Sequence, residues 1–180
     1  MTSKSENLVP TNYLLQPGYV YVPIRPTVIS TVLGSSISVC IYDAKRRVGG
    51  MNHFQFPYTR EIDEATPRYG NVATLALISM MLHDGSRIED LEAQIFGGAH
   101  NKRICDQNIG WENGMVARKI LMTKQVRIVS QDIGGEKGRK VVYNTISNEI
   151  IVMKVDELRR SDWFPYREER IRGPESSDLN

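Results

Sequence analysis

The stretch from Ile29 to Pro57 constrains the fold of this chain more than any other, because two apolar segments meet there at a tight turn of small residues. The turn is Leu33-Gly34-Ser35-Ser36, and apolar and polar residues alternate after it from Ile37 to Ile41. A period of two is typical of a β-strand. A polar turn follows, and a second extended run, from Val48 to Phe56, contains His53. We therefore predict a β-hairpin that brings His53 beside the turn of small residues.

The predicted hairpin has the layout of a nucleophile with an imidazole base. In it the Ser36 hydroxyl would be the nucleophile and His53 the base. Gly34 would be the small turn residue that lets backbone N–H groups at Ser35 or Ser36 face a reacting carbonyl oxygen. Taken alone, a serine in such a turn is usually only a turn residue, and a single histidine on a strand more often packs in the core. A catalytic interpretation therefore depends on further motifs along the chain.

Further motifs do occur, in a fixed order. The segment Thr31–Asp43 is followed by Gly49-Gly50-Met51-Asn52-His53 and then by three glycine-containing motifs. These three are Ile95-Phe96-Gly97-Gly98-Ala99, Asn108-Ile109-Gly110 with Asn113, and Asp132-Ile133-Gly134-Gly135 with Gly138-Arg139. In this combination, over roughly residues 18–155, the sequence resembles the CheD family, the chemoreceptor glutamine deamidases of bacterial chemotaxis.

The resemblance implies a role for four residues of the central stretch. In the CheD family the turn ends in a cysteine, the nucleophile that attacks a receptor glutamine, and the matching position here is Ser36. The histidine of the family's cysteine–histidine pair falls on His53. A hydroxyl residue that the family also uses falls on Thr31 or Ser30, and the sequence leaves both open.

Two glycine pairs are candidates for shaping the cleft around the nucleophile. Gly97-Gly98 and Gly134-Gly135 each follow a predicted strand, where glycine permits a positive φ angle or a close backbone approach. From the residues alone, sharp turns explain both pairs. The resemblance adds the interpretation that both pairs line the cleft.

Serine at position 36 changes the expected chemistry. A thiol with a pKa near ~8.5 is ionised by a nearby imidazole, whereas a serine hydroxyl must lose its proton during attack and needs a well-oriented histidine. Three interpretations stay open: an inactivating Cys→Ser change in a deamidase, a natural deamidase that works with serine or is weak, and a non-catalytic adaptor. The resemblance implies chemoreceptor cytoplasmic domains as partners, and a CheC-like phosphatase as a further one.

Composition limits the class of protein. At 180 residues we expect one main domain, residues 18–155, with a flexible segment 1–17 before it and an extension 156–180 after it. A net charge of +2 gives no case for nucleic acid, and no apolar run is long enough for a membrane span. Cys40 and Cys105 match neither a disulfide framework nor a zinc pattern. We predict a cytoplasmic protein without metal or other cofactor.

Strands outnumber helices in the periodicity of the sequence, which favours an α+β fold. Two helices are predicted. The first, over residues 68–83, is apolar on most faces, so we expect it to be well buried. The second runs from about 110 to 124 with Asn108 as its N-cap, and its apolar stripe is Trp111, Val116, Ile120 and Leu121. Strands are predicted over residues 18–23, 37–41, 91–95, 126–129, 140–143 and 149–155. The resemblance sharpens this to a layered α/β/β/α arrangement with mixed, largely antiparallel sheets, similar to the cytotoxic necrotizing factor deamidases.

Overall fold

A computed structural model describes residues 9–158, which form nine strands and two α-helices. The predictions for residues 1–8 and 159–180, including most of the C-terminal extension, lie outside the described residues. In chain order the elements are β1 Thr11–Leu14, β2 Tyr19–Tyr21, β3 Thr27–Leu33, β4 Ile37–Asp43, β5 Val48–His53, α1 Gly70–His83, β6 Leu91–Gly97, α2 Ile109–Thr123, β7 Arg127–Ile133, β8 Gly138–Asn144 and β9 Ile150–Val155. Short 3₁₀ turns lie at Ile62–Glu64 and Ile88–Asp90.

The strands form two sheets. One has four strands in the order β1-β3-β8-β9, and the other has five in the order β2-β5-β4-β6-β7. The pairs β1–β3 and β6–β7 are parallel, and the other pairs are antiparallel. This confirms the predicted α+β class with mixed, largely antiparallel sheets.

The two sheets pack face to face, and both helices cover the outer face of the five-stranded sheet. Leu33 of β3, Met51 of β5 and Val141 of β8 belong to the cluster between the sheets. Val39 of β4, Leu77 of α1 and Leu121 of α2 belong to the cluster between sheet and helices. Within residues 9–158 the layers are therefore α/β/β, because both helices lie on the same side. The fourth layer of the expected α/β/β/α arrangement is not formed by the described residues.

The predicted hairpin of β4 and β5 is present, and the turn that precedes it connects the two sheets. β4 pairs with β5 in antiparallel register, with Cys40 opposite Met51. β3, however, belongs to the other sheet, so the turn of small residues is the place where the chain crosses from one sheet to the other. All seven residues of β4 are buried because the strand lies at the centre of its sheet with covered faces on both sides.

Two parts of the fold differ from the sequence prediction, one near the start of the described chain and one on α1. No strand was predicted before Gly18, but β1 forms there, since it pairs in parallel with β3 and is followed by the buried Leu15. Its four residues are all exposed, so no hydrophobic alternation marked it. Helix α1 was predicted to be buried on most faces, but Leu75 and Met80 are each 41% exposed. Only one face of α1 meets the sheet.

Helix α2 buries Leu121 of its predicted apolar stripe, but the start of the stripe is exposed. Trp111, expected in the buried stripe, is 60% exposed. The buried side contains Gly110, Gly114 and Ala117, which are small because the helix comes very close to the end of β6. A Cβ atom at Gly110 would lie 2.3 Å from the carbonyl oxygen of Gly98. Close packing therefore requires glycine at position 110, which the hydrophobic pattern did not indicate.

In the part of the chain from 9 to 158, neither helix is long and apolar enough to cross a membrane.

Candidate active site

Ser36 and His53 lie side by side at the junction of the two sheets. The Ser36 hydroxyl oxygen is 2.9 Å from Nε2 of His53, which is hydrogen-bond distance. Both residues are buried, with 5% and 2% of their surface exposed. The hairpin places His53 at the end of β5, and the turn between β3 and β4 presents Ser36 to it. The structure thus brings together the two residues that the sequence proposed as a pair.

Thr31, and not Ser30, completes the contact on the other side of the imidazole. Its hydroxyl oxygen lies 2.8 Å from Nδ1 of His53. Side chains alternate along a strand, so Thr31 points into the space between the sheets while Ser30 points to the outer face of β3, where it is only half-buried. The packing of β3 therefore places the Thr31 side chain, and not that of Ser30, against the imidazole.

The hydrogen bonds around Thr31 favour a proton on Nδ1 of His53. The Thr31 hydroxyl donates to the backbone carbonyl oxygen of Leu15 at 2.9 Å, and a carbonyl oxygen can only accept. Because its single proton is used there, the hydroxyl must accept a hydrogen bond from Nδ1–H of His53. Nε2 then has a lone pair directed at the Ser36 hydroxyl. This is the tautomer that a general base for Ser36 requires.

Burial keeps His53 in the neutral form at neutral pH. Removal of the ring from water lowers the pKa of His53 from 6.5 to about 4, and a hydrogen bond with the backbone of Leu15 opposes this only in part. A neutral imidazole has an acceptor nitrogen, so it can take a proton from a neighbouring group.

All three carbonyl oxygens of the Gly34–Ser36 turn are held by hydrogen bonds from the rest of the fold. The carbonyl of Gly34 accepts from the backbone N–H of Ala99, and that of Ser36 accepts from the N–H of Gly98, both at 2.8 Å. The carbonyl of Ser35 accepts from the side-chain amide of Asn113 at 2.9 Å. The turn is therefore fixed to the end of β6 and to helix α2.

Sequence reasoning did not assign a role to two of the groups around the site. Asn113 appeared only as part of a motif, and Leu15 lay in the segment predicted to be flexible. A signal existed for Asn113, because a polar residue on the buried side of a predicted amphipathic helix is unusual. The backbone carbonyl of Leu15 has no signature in the sequence, since every residue carries the same group.

The first glycine pair is required by its contact with the nucleophile turn. Gly97 has a φ angle of 114°, and a Cβ atom there would lie 2.2 Å from the carbonyl oxygen of Ser36. Gly98 has a φ angle of 66°, and a Cβ atom there would lie 2.6 Å from the carbonyl oxygen of Gly110. Both the positive φ and the lack of space exclude other residues.

The second glycine pair is required for its backbone conformation alone. Gly134 and Gly135 have φ angles of 85° and 73°, and nothing lies within 4 Å of the place where either Cβ would be. The buried guanidinium of Arg139 donates to the carbonyl oxygen of Gly134 at 2.7 Å and forms an ion pair with Asp132. The hydrogen bond of the Arg139 guanidinium lowers the pKa of Asp132.

Two openings lie beside the elements that hold the turn, and a turn residue lines the smaller of them. A groove of about 560 Å³ runs between α2 and the end of β7, with Trp111, Met115 and Arg118 on one side and Gly134 on the other. A smaller cavity is lined by Ser35 and by the loop that follows β6. Gly98 lines the groove, and its backbone binds Ser36 directly. Gly98, Gly134 and Gly135 line this groove, and their role in shaping a cleft around the nucleophile stays a prediction.

Both cysteines are free thiols. Cys40 is buried between the sheets opposite Met51, and burial raises the pKa of its thiol. Cys105 lies beside the smaller cavity. In the described range, no group of three or more His, Cys, Asp or Glu side chains is arranged to hold a metal ion.

The fold and the site together define a class of protein: an α+β hydrolase-like domain in which a nucleophile position, a histidine and a hydroxyl side chain form one buried line. The comparisons with known proteins give the family. A model of the family described as CheD chemotactic sensory transduction matches residues 57–154, and the chain belongs to this CheD family.

Curated relatives extend the match beyond the family model. The chain is 38% identical to the probable chemoreceptor glutamine deamidase CheD of Sulfurimonas denitrificans, over 77% of this chain and 90% of the relative. It is 37% identical to the protein of the same name from Trichlorobacter lovleyi, over 78% of this chain and 88% of the relative. It is 40% identical to the protein of the same name from Hydrogenovibrio crunogenus, over 82% of this chain and 80% of the relative. The resemblance drawn from the sequence motifs is confirmed.

Proposed function

We propose that this protein acts on chemoreceptors as a glutamine deamidase, converting side-chain amides to carboxylates with release of ammonia. The names of its relatives support the substrate class. The observation that carries the proposal is the line of three side chains Ser36, His53 and Thr31, with contacts of 2.9 and 2.8 Å. The tautomer of His53 provides a base at Nε2, next to the position of the nucleophile.

In the first half of the reaction, the side-chain atom at position 36 attacks the carbonyl carbon of the glutamine amide. His53 takes the proton of the nucleophile at Nε2, and a tetrahedral intermediate forms with a negative oxygen. As the C–N bond breaks, the imidazolium returns the proton to the leaving nitrogen, and ammonia departs. The product is an acyl-enzyme, an ester for serine or a thioester for cysteine.

Water completes the reaction by the same route. His53 removes a proton from water, which attacks the acyl carbon, and the proton passes to the departing oxygen or sulfur of residue 36. The glutamate side chain is released and the enzyme is restored. The net change is the consumption of one water and the release of one ammonia, so the reaction needs neither an oxidant nor a reductant.

The backbone N–H of Ser36 is our candidate for stabilising the negative oxygen. It donates to no acceptor among residues 9–158, whereas the carbonyl oxygens of the same turn are all occupied. The turn thus directs its carbonyls into the protein and leaves this donor for a ligand. Donors of this kind contribute on the order of 3 kcal/mol in acyl-transfer sites. Ser35 forms the neighbouring part of the same turn.

Serine at position 36 predicts a slow enzyme. The hydroxyl is a far weaker acid than a thiol, so His53 must remove its proton during attack instead of beforehand. A pKa of about 4 also makes His53 a weak base for this purpose. We expect little or no ammonia release from this chain, and turnover after Ser36→Cys.

Serine at this position also favours a second candidate function, that of a non-catalytic adaptor. An adaptor would keep the surface of the family and bind chemoreceptor cytoplasmic domains or a CheC-like phosphatase without deamidating either. The groove with the exposed Trp111 and Met115 offers such a surface whatever residue stands at position 36. A cytoplasmic location follows from either partner and is part of the proposal.

An ammonia-release assay on receptor cytoplasmic fragments separates the two candidates. We would compare the unmodified chain with Ser36→Cys and with Ser35→Cys. The second variant is the matched control, because its thiol is one residue before the position that contacts the imidazole. Conversion of glutamine to glutamate is followed by mass spectrometry. We expect turnover only from Ser36→Cys, and loss of most of it when His53→Ala is added.

Other outcomes contradict this account. The adaptor predicts receptor or phosphatase binding with no turnover from any variant. If the unmodified serine chain is as fast as Ser36→Cys, a thiolate is not required. Equal rates from Ser35→Cys and Ser36→Cys would remove the pairing with His53 from the mechanism.

A further inference from the structure

Asn113 of α2 makes a contact that links the two halves of the site. Its side chain is fully buried, and its Nδ2 atom donates to the carbonyl oxygens of Ser35 and Gln55, both at 2.9 Å. Ser35 directly precedes Ser36, and Gln55 lies two residues after His53. One amide nitrogen therefore joins the turn that carries the nucleophile position to the strand that carries the base.

The chemistry of this contact requires a primary amide. An NH₂ group offers two protons on one atom, so it can satisfy two carbonyl oxygens at the same place. The two acceptors also fix the orientation of the amide, because its oxygen could not face them. The Oδ1 atom of Asn113 is buried and has no hydrogen-bond partner within residues 9–158. When the nitrogen lies between its two acceptors, the oxygen is left buried without a partner, and this lowers the stability of the fold.

The other contacts that the structure shows between the turn and the base lie beyond Ser36. Gly34 and Ser36 are held through their carbonyls by the end of β6, which does not carry the base. The backbone bridge of Ile37 with Phe54, with two hydrogen bonds of 3.0 Å, joins β4 to the segment after β5, and β4 is also hydrogen-bonded to Asn52. These contacts lie on the far side of Ser36 from Ser35. Asn113 attaches the turn on the Ser35 side, where it opposes a pivoting motion of the turn about the bridge.

We propose that Asn113 is a positioning residue, which holds the turn so that the side chain of residue 36 stays at hydrogen-bond distance from His53. It acts through Ser35 and Gln55 and touches neither substrate nor the reacting atoms. This inference rests on the proposed function, because it assumes that the pair of residue 36 and His53 performs the chemistry.

The test uses the Ser36→Cys chain, in which the new thiol reports its own distance from the imidazole. Ionisation of a thiol that is paired with a histidine occurs well below the ordinary value near ~8.5. We would measure the rate at which iodoacetamide alkylates the thiol introduced at position 36, from pH 5 to 9, with fragment-ion mass spectrometry to separate it from Cys40. Asn113→Ala, Asn113→Ser and the matched control Leu121→Ala, a buried residue of the same helix outside the site, are added one at a time.

We expect Asn113→Ala to move the midpoint of the alkylation profile upwards by about one pH unit or more, which is about tenfold less thiolate at pH 6. Asn113→Ser can donate to only one of the two carbonyls, so it should give a smaller shift of the midpoint. This variant also serves as the test if Asn113→Ala does not fold. Leu121→Ala should lower the free energy of unfolding without moving the midpoint of the alkylation profile.

Coincident profiles for Leu121→Ala and both Asn113 variants would overturn the positioning role. The outcome is independent of ammonia release. If Ser36→Cys releases no ammonia but the Asn113 variants still shift the profile, the proposed function fails and the positioning role stands. If ammonia is released and the profiles coincide, the positioning role fails alone.

Discussion

Protonation of His53 should make the stability of this protein fall between pH 6.5 and pH 4. The folded protein holds the ring in the neutral form, with a pKa of about 4, because the ring is buried, whereas the unfolded chain has the ordinary pKa of 6.5. In that range the unfolded state binds more protons than the folded state, so the free energy of unfolding decreases as the pH falls. The contribution of His53 is fully present above pH 6.5 and is lost towards pH 4.

The size of the effect follows from the two pKa values. A difference of 6.5 against about 4 corresponds to about 3 kcal/mol, since one pKa unit is worth ~1.4 kcal/mol. About 2 kcal/mol of this should already be lost at pH 5. Such a loss is a large part of the total stability of a domain of this size, which is of the order of 5–15 kcal/mol.

The measurement is urea unfolding at a series of pH values from 4 to 7.5, for the unmodified chain and for His53→Gln. Glutamine cannot titrate, so the difference between the two curves isolates His53 from other groups such as Asp132. We expect the difference to shrink by about 3 kcal/mol from pH 7 to pH 4. A constant difference would show that the ring is not held neutral, and the assignment of His53 as a buried base would then be wrong.

Three more predictions concern the groups around the pair. Thr31→Val keeps the shape of the side chain but removes its hydroxyl, and it should lower the free energy of unfolding by about 2 kcal/mol. In the Ser36→Cys background the same change should slow ammonia release. Thr31→Ser, which keeps a hydroxyl, should retain most of the rate. Gly97→Ala should destabilise the fold by more than about 2 kcal/mol in urea unfolding, because the new methyl group meets the carbonyl oxygen of Ser36 at 2.2 Å. Arg139→Met should cost about 2 kcal/mol in the same assay, since the carbonyl oxygen of Gly134 and the partly exposed Asp132 lose a charged donor while Asp132 keeps Lys154. An unchanged midpoint would contradict the role of this ion pair.

The sequence by itself determined the local elements of the site. Alternation from Ile37 to Ile41, the polar turn after it and the extended run to His53 specify a hairpin, because the side-chain period and the turn residues are local properties. Asn108 likewise identified the start of α2, and its side chain accepts from the N–H of Trp111 at 2.9 Å. The motifs of the chain were also sufficient to identify the CheD family.

Only the tertiary structure decided which groups surround the imidazole. Thr31 and Ser30 are equivalent in sequence, and the packing of β3 against the other sheet turns Thr31 alone towards His53. The carbonyl of Leu15 comes from 16 residues before Thr31, and the amide of Asn113 from 78 residues after Ser35. Local periodicity cannot contain such contacts, because they form only when separate strands and a helix are packed together. For the same reason the need for glycine at position 110 of α2 followed from the close approach to Gly98 and not from the hydrophobic pattern of the helix.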